Sequence, residues 1–473
     1  MPPWSRQRAP QARPGLPGGP VQRPSGGLRL GAAWRAAMHQ RPLLGIVLGF
    51  AGAVVLGTVL LVLPLSGHAG LRTALFTATS AVCVTGLTTV DTGTAWTGFG
   101  QLVILLLIQL GGFGIMTFAS LVGLLVSRRL GLHTRLMAAA STRTVGLGDV
   151  RSTLVRVGRI TLAVEAATAV LLAVRWVWGY HEPFGRAVWL GVFHAVSAFN
   201  NAGFALFPDS LEGYATDPWI GIPIALAVLI GGLGFPVVVE LLRRHHRPSR
   251  WSLHTKITVL MTAILVPLGT VFMLTAEWSN PATLGGLSVP GRVLASFVQG
   301  VMPRTAGFSV LDPAALREGT WLGTDVLMFI GGGSASTAGG IKMTTFAVLA
   351  VVIWSELRGD PDVTFFDRRI SAAAQRQAAA VALVGVAAVI VPTIAIDLTS
   401  DFGLSDILAE VVSASATVGL SAGITAQLAP WHQVVLIGLM FAGRLGPITL
   451  GAALALRERA RAVRRPEGQP IIG

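Results

Sequence analysis

The chain has 473 residues, of which 52% are apolar and 12% charged, and its mean hydropathy is +0.66. This composition excludes a soluble multidomain protein, whose surface needs far more charge, and places the chain among integral membrane proteins. The net charge of +14 does not point to nucleic acid, because the basic residues fall in clusters that flank apolar stretches, which is how membrane topology is written.

Residues 1–42 are rich in Pro, Arg and Gly and hold no apolar run long enough for a secretory signal. They are expected to form a disordered basic cytoplasmic tail, with a cleaved targeting segment as the alternative. Eight stretches then approach the roughly twenty apolar residues that cross a bilayer: 43–65, 101–126, 160–178, 219–242, 257–276, 321–357, 378–396 and 434–456. The basic clusters lie at 6–41, 128–159, 243–256, 358–376 and 457–465. Positive loops stay cytoplasmic, and an even number of spans returns the chain to its starting side, so both termini are expected inside. The single cysteine, Cys83, excludes an intramolecular disulfide and any multi-cysteine metal site.

Between the members of each pair of spans a pattern recurs: LFTATSAVCVTGLTTVDTG (75–93), VFHAVSAFNNAGFALFPDS (192–210), SFVQGVMPRTAGFSVLDPA (296–314) and EVVSASATVGLSAGITAQL (410–428). Gly86, Gly203, Gly307 and Gly419 mark the same place in each, at intervals of roughly 110 residues, which identifies an internal repeat. The apolar and small residues before each glycine are too few to cross a bilayer, so each segment reads as a short helix that enters and stops, followed by non-helical backbone at membrane depth. Such backbone is tolerated where it is buried in protein or lines water. Four of these segments around one axis would make a pore.

A dehydrating cation needs oxygen ligands, which rings of backbone carbonyls supply, and glycine reaches the dihedrals that turn a carbonyl inward. The candidate lining residues are Val84, Thr85 and Gly86; Asn201, Ala202 and Gly203; Thr305, Ala306 and Gly307; and Thr417, Val418 and Gly419. The four short helices would aim their partly negative C-terminal ends at the ion. One glycine in a small-residue run would mark only a turn or a packing contact. Four at matching places favour the pore.

The stretch GGGSASTAGGIKMTT (331–345) interrupts the sixth span. Interior glycines cost a helix about 1 kcal/mol each, so a break is expected here, with Gly331, Gly332, Gly333, Ser334, Ser336, Thr337, Gly339 and Gly340 as a candidate gate. A close helix-packing face is the alternative. Arg444 falls near the middle of the last span, where it would face the pore and either repel cations or hydrogen-bond the Gly-rich loop. Glu165 in the third span is expected to hold a helix or loop by hydrogen bonds. Asp91 is either a cation attractor at the outer mouth or a solvated loop carboxylate. Glu240 and Lys342 are expected near cytoplasmic span ends, with their charged heads in water.

The ordered set VCVTGL, FNNAGF, RTAGF and ATVGLSAG, with GGGSASTAGGIK and the terminal FAGRLGPITL, resembles the Trk/Ktr/HKT superfamily of potassium transporters, most of all its KtrB-type members, over roughly residues 43–456. The resemblance implies an all-α membrane protein with eight transmembrane helices in four membrane-pore-membrane repeats around one central pore. The repeats would span approximately 43–127, 154–242, 253–357 and 374–456, and a basic cytoplasmic C-terminal tail would occupy 457–473. It implies potassium selectivity from Gly86, Gly203, Gly307 and Gly419, since members with Ser in the first repeat favour sodium. It also implies a gate in the loop 331–340 opposed by Arg444, a homodimer with one pore per subunit, and a cytosolic nucleotide-binding regulatory subunit of the KtrA or TrkA type.

The expected function is therefore potassium uptake across the bacterial plasma membrane, driven by the electrochemical gradient, with K⁺ as the transported ion, Na⁺ as a candidate activator and no cofactor in this chain. A secondary transporter of another small solute coupled to Na⁺ or H⁺ would also interrupt its helices with glycine, but it predicts inverted repeats. The four units here all run in the same sense. An enzyme is disfavoured, since there is no H-E-x-x-H and the only neighbouring histidines, His245, His246 and His254, fall in one expected cytoplasmic loop.

Overall fold

A computed structural model describes residues 42–129 and 147–456. The chain divides into two compact units, Met1–Leu48 and Gly49–Gly473. The described part of the first unit, residues 42–48, is the opening of helix α1 (Pro42–Val62). The expected tails, at 1–41 and 457–473, lie outside the described residues.

A long helix, a short helix and a further helix follow one another four times. The first quarter is α1, α2 (Leu71–Cys83), the single-turn α3 (Thr92–Ala95) and α4 (Gly98–Arg129). The second is α5 (Leu147–Tyr180), α6 (Phe184–Phe199), α7 (Pro218–Leu233) and α8 (Phe235–Arg244). In the third come α9 (Leu253–Glu277), α10 (Val289–Val301), α11 (Glu318–Phe329) and α12 (Met343–Arg358). A two-residue ribbon, β1 (Thr364–Phe365) with β2 (Arg368–Arg369), leads to α13 (Ala372–Asp397), α14 (Leu404–Ala416) and α15 (Pro430–Leu456). Besides that ribbon, the described residues hold two isolated β-bridges, Gly67 with Trp96 and Ile330 with Ile341, and are otherwise helices and their connections.

Local chemistry sets several helix starts. Asp217, Ser252, Ser288 and Ser371 each accept a hydrogen bond from a backbone N–H in the first turn of α7, α9, α10 and α13, and Pro follows at the opening positions of α7 and α10. Glu240 adds to the α9 cap by accepting from Ser252 N at 3.0 Å and Thr255 Oγ1 at 2.6 Å. It therefore acts as part of a helix start, and its carboxylate does not simply reach into water as expected.

Burial is arranged inside out. From Ala74 onward α2 is buried on nearly every side, whereas α13 buries four residues and exposes Leu383, Val384, Val386, Ile390, Val391 and Ile394. A helix buried all round belongs at the centre of a bundle, and a long exposed apolar face belongs in lipid or against a partner. The packing closes on itself: α4 meets α6, α7 meets α10, α11 meets α14, and α15 meets α2. Each quarter thus leans on the short helix of the next, and the fourth leans on the first.

Five described helices are long and apolar enough to cross a membrane, six if the bent pair α7 and α8 counts as one span. That pair corrects the reading of 219–242 as one continuous span: it breaks at Gly234 (φ +91°) and bends by 101°. The sixth expected span is broken as anticipated, between Phe329 and Met343. The eighth corresponds to α15, of 27 residues.

Candidate functional site

Each short helix ends in the same backbone figure. Val84, Asn201, Thr305 and Thr417 have φ of 55°, 58°, 65° and 50°, and two residues later Gly86, Gly203, Gly307 and Gly419 have φ of 98°, 71°, 73° and 99°. Left-handed dihedrals at non-glycine residues cost of order 1–3 kcal/mol each and persist only where surrounding structure enforces them. Val84, Thr305 and Thr417 are β-branched, for which the conformation is rarer still. The strain occurs four times, at the four places where the sequence repeats.

The four segments meet. A Cβ built on Gly86 would overlap the carbonyl oxygen of Ala202; one on Gly203 would lie 3.0 Å from that of Ala306; one on Gly307 would lie 2.5 Å from that of Val418; and one on Gly419 would overlap that of Thr85. Each glycine faces the carbonyl that precedes the next glycine, and the fourth returns to the first. These contacts close Thr85–Gly86, Ala202–Gly203, Ala306–Gly307 and Val418–Gly419 into one ring, with Val84, Asn201, Thr305 and Thr417 next to them in the chain.

The backbone amides turn away from that ring. Thr85 N, Ala202 N and Val418 N donate back to the carbonyls of Ser80, Ser197 and Ser413 at 2.8, 2.7 and 2.8 Å, and Ala306 N donates to Met302 O at 3.0 Å. In the first and fourth quarters a serine hydroxyl also holds the glycine amide: Gly86 N donates to Ser80 Oγ at 3.0 Å and Gly419 N to Ser413 Oγ at 2.9 Å. The second quarter has Ser197 at that position with its hydroxyl unpaired, and the third has Val301. The backbone figure repeats in all four quarters, but the serine support reaches only two neighbouring ones.

The Gly-rich segment lies against this ring. Gly333 N donates to Gly232 O at 2.8 Å and Thr337 N to Gly231 O at 3.3 Å, so the loop rests on the end of α7, and Phe235 N at the start of α8 donates to Ala335 O at 3.3 Å. Thr337 Oγ1 donates to Asn201 Oδ1 at 2.9 Å, and a Cβ on Gly339 would overlap Thr417 Oγ1. Ser336 Oγ donates to Gly333 O at 2.6 Å, and Ser334 Oγ lies 3.0 Å from Thr344 Oγ1. Gly331 N donates to Ile341 O at 2.9 Å, pinching the loop at its base, and Gly340 takes φ +64°.

Two cations hold the loop. Arg444, 2% exposed, donates from Nη1 to the carbonyl of Thr337, while its Nε and Nη2 have no hydrogen-bond partner. Lys342 Nζ donates to Ala338 O at 2.5 Å. This corrects the expectation that Lys342 reaches into water at a span end, since its ammonium folds back onto the loop. Among the described residues neither cation belongs to an ion pair.

Other polar residues have structural partners. Glu165 accepts from Asn200 Nδ2 at 3.0 Å and Gln109 Nε2 at 3.3 Å, behind the second segment, as the sequence reading expected. Asp91 caps α3, accepting from Gly93 N at 3.2 Å and Thr94 N at 2.9 Å. Further along the chain from the glycines, Leu211 N donates to Ser309 O at 2.9 Å, joining the segments that follow Gly203 and Gly307. Beside that joint Glu212 has its carboxyl pushed up to about 7, by burial and by the charges of Asp312 and Asp209.

Arg304 was not singled out from the sequence. It is 2% exposed and donates from Nη1 to Ile330 O at 3.0 Å and from Nη2 to Leu327 O at 2.8 Å. Its signal was a charged residue within an otherwise small and apolar stretch, directly before Thr305.

Comparison with known proteins bears on this arrangement. A family described as TrkH, cation transport protein, matches residues 47–460. The Ktr system potassium uptake protein B of Bacillus subtilis (strain 168) is 40% identical over 90% of this chain and 96% of its own length, and that of Vibrio alginolyticus is 36% identical over 90% and 94%. The potassium/sodium uptake protein NtpJ of Enterococcus hirae is 33% identical over 93% and 99%. Among solved structures, the potassium transporter TrkH from Vibrio parahaemolyticus matches with a TM-score of 0.65 over 88% of this chain and 85% of that one, at 19% identity, which bears on the fold.

Proposed function

The chain belongs to the TrkH family of cation transport proteins, and from that premise we propose a route by which it takes up K⁺. It is a potassium uptake transporter subunit of the Ktr/Trk type, a multi-pass membrane protein and not an enzyme. In our reading eight transmembrane helices form four membrane-pore-membrane repeats around one pore. The selectivity filter is Val84–Gly86, Asn201–Gly203, Thr305–Gly307 and Thr417–Gly419. The observation that carries this reading is the closed ring in which each glycine faces the carbonyl before the next.

K⁺ enters that ring as its water is replaced by carbonyl oxygens. The C-terminal ends of α2, α6, α10 and α14 run into the ring, and each contributes up to about half an elementary negative charge by its macrodipole. Beyond the ring the loop 331–340 blocks the way, and Arg444, bonded to Thr337 O, adds a positive charge that opposes a cation there. Moving the loop and Arg444 aside opens the pore. A potential of 100 mV supplies about 2.3 kcal/mol per charge, which drives accumulation without ATP hydrolysis in this chain.

The same reading places both termini in the cytoplasm, makes the working unit a homodimer with one pore per subunit, and assigns control to a separate cytosolic nucleotide-binding subunit of the KtrA or TrkA type. Na⁺ acts as an activator, a role in keeping with the potassium/sodium uptake protein among the relatives. The test is Rb⁺ uptake by bacteria that lack their own potassium systems and carry this chain with such a regulatory subunit. Uptake that rises with Na⁺ supports the reading, and membrane-inserted protein that gives no Rb⁺ flux contradicts it.

A further inference from the structure

Two of the four segments assigned to the filter are tied by hydrogen bonds to the loop assigned as the gate. In the first and fourth quarters the glycine amides are held by serines of their own short helices, Ser80 and Ser413. The second and third lack that support, because Ser197 Oγ is unpaired and residue 301 is Val. Besides the turn bonds of Ala202 N and Ala306 N and the Glu165–Asn200 contact, they share a chain of hydrogen bonds that starts and ends in the loop. Ile330 O, at the loop's entry, accepts from Arg304 Nη1 at 3.0 Å. Arg304 O, one residue before the filter, accepts from Asn201 Nδ2 at 3.1 Å. Asn201 Oδ1 accepts from Thr337 Oγ1 at 2.9 Å, in the middle of the loop.

The burial of these groups makes the circuit consequential. Asn201, Thr337, Arg304 and Thr305 are all 2% exposed or less, so a bond broken here is not replaced by bulk water. Arg304 has no carboxylate partner among the described ion pairs, and its charge rests on the carbonyls at the C-terminal end of α11, where a helix dipole favours a cation. If the end of α11 moves, the guanidinium loses its seat and the backbone of Thr305 loses its anchor.

We propose that Arg304 and the Asn201–Thr337 pair make the second and third filter segments and the loop one mechanical unit, so that displacing the loop loosens half of the filter and lowers K⁺ selectivity. Arg304 is then a positioning residue that acts through Thr305 and Ile330. This rests on the filter and gate assignments above.

The test is Rb⁺ and Na⁺ flux into vesicles containing the full-length chain, comparing Thr337→Val with Thr337→Ser and Arg304→Gln with Arg304→Lys. Thr337→Val is expected to raise Rb⁺ entry and lower the Rb⁺/Na⁺ ratio together, each by about three- to tenfold, the size of one net hydrogen bond. Thr337→Ser, which keeps the hydroxyl, retains both values. Arg304→Gln lowers the ratio more than Arg304→Lys does, and if the Arg304 variants fail to assemble the Thr337 pair decides. A Thr337→Val protein whose ratio is unchanged, whatever its flux, overturns the coupling. Gly86→Ser and Arg444→Ala are run alongside: if the first leaves the ratio unchanged or the second leaves the flux unchanged, the filter or gate assignment has failed and not the coupling alone.

Discussion

Gly307 stands so close to Val418 that a Cβ on the glycine would come within 2.5 Å of the valine's carbonyl oxygen. Gly307 also has φ 73°, which an L-residue adopts only under strain. Gly307→Ala should therefore fail on two counts, displacing the very oxygen assigned to the ion. At about 1–3 kcal/mol of strain, Rb⁺ uptake per inserted protein should fall roughly five- to 150-fold. Uptake normalised to membrane-inserted protein checks this.

Ser413 and Ser197 occupy matching positions but have different work. Ser413 Oγ accepts from Gly419 N, whereas Ser197 Oγ has no partner. Ser413→Ala leaves a buried amide unsatisfied, which costs about 1–3 kcal/mol, and should lower the Rb⁺/Na⁺ ratio severalfold. Ser197→Ala should leave that ratio within experimental error. Competition of Na⁺ against Rb⁺ uptake separates the two.

Arg444→Ala removes the charge proposed to oppose a cation at the loop and frees Thr337 O. Rb⁺ entry without the regulatory subunit should rise severalfold. Lys342→Met should act in the same direction, since Lys342 is the second cation bonded to this loop. Both are read by flux into vesicles with and without the partner.

Glu212 supplies a pH dependence. Its carboxyl lies raised from the ordinary 4.5 to about 7 by burial, with Asp312 and Asp209 adding to it. Because the folded value lies above the unfolded one, its contribution to stability is present below about pH 4.5 and is lost as pH rises to about 7. Function is expected to run the other way: with Glu212 at the outer mouth, as in the proposed topology, the carboxylate deprotonates as external pH passes from 6 to 8 and uptake at low K⁺ should improve. Glu212→Gln should flatten that profile while leaving uptake at high K⁺ unchanged, as measured by Rb⁺ uptake against external pH.

Much of this arrangement was legible in the sequence because its carriers are local. Gly86, Gly203, Gly307 and Gly419 recur in similar surroundings, and the glycine run at 331–340 is incompatible with an uninterrupted helix. The long apolar helices α1, α4, α5, α9 and α13 announced themselves by length. The break at Gly234 was missed because hydropathy runs on through it, although Gly234 followed by Pro236 is a fair signal for an interruption. Lys342 was misread because a lysine beyond a glycine run looks like a span end until the loop folds back beneath it. The partners of Arg304 and the Asn201–Thr337 bond could not be read, since they lie far along the chain and are joined by closure of the ring rather than by local pattern.

The central claim is that the glycine ring selects K⁺, and Gly86→Ser tests it most directly. Cells without their own potassium uptake, carrying either chain with the regulatory subunit, are grown at limiting K⁺ and assayed for Rb⁺ uptake in the presence of increasing Na⁺. The account expects the variant to need more K⁺ for growth, to be inhibited by Na⁺ at lower concentration, and to admit Na⁺ itself. A Gly86→Ser protein, inserted in normal amounts, with unchanged growth and an unchanged Rb⁺/Na⁺ ratio would contradict it.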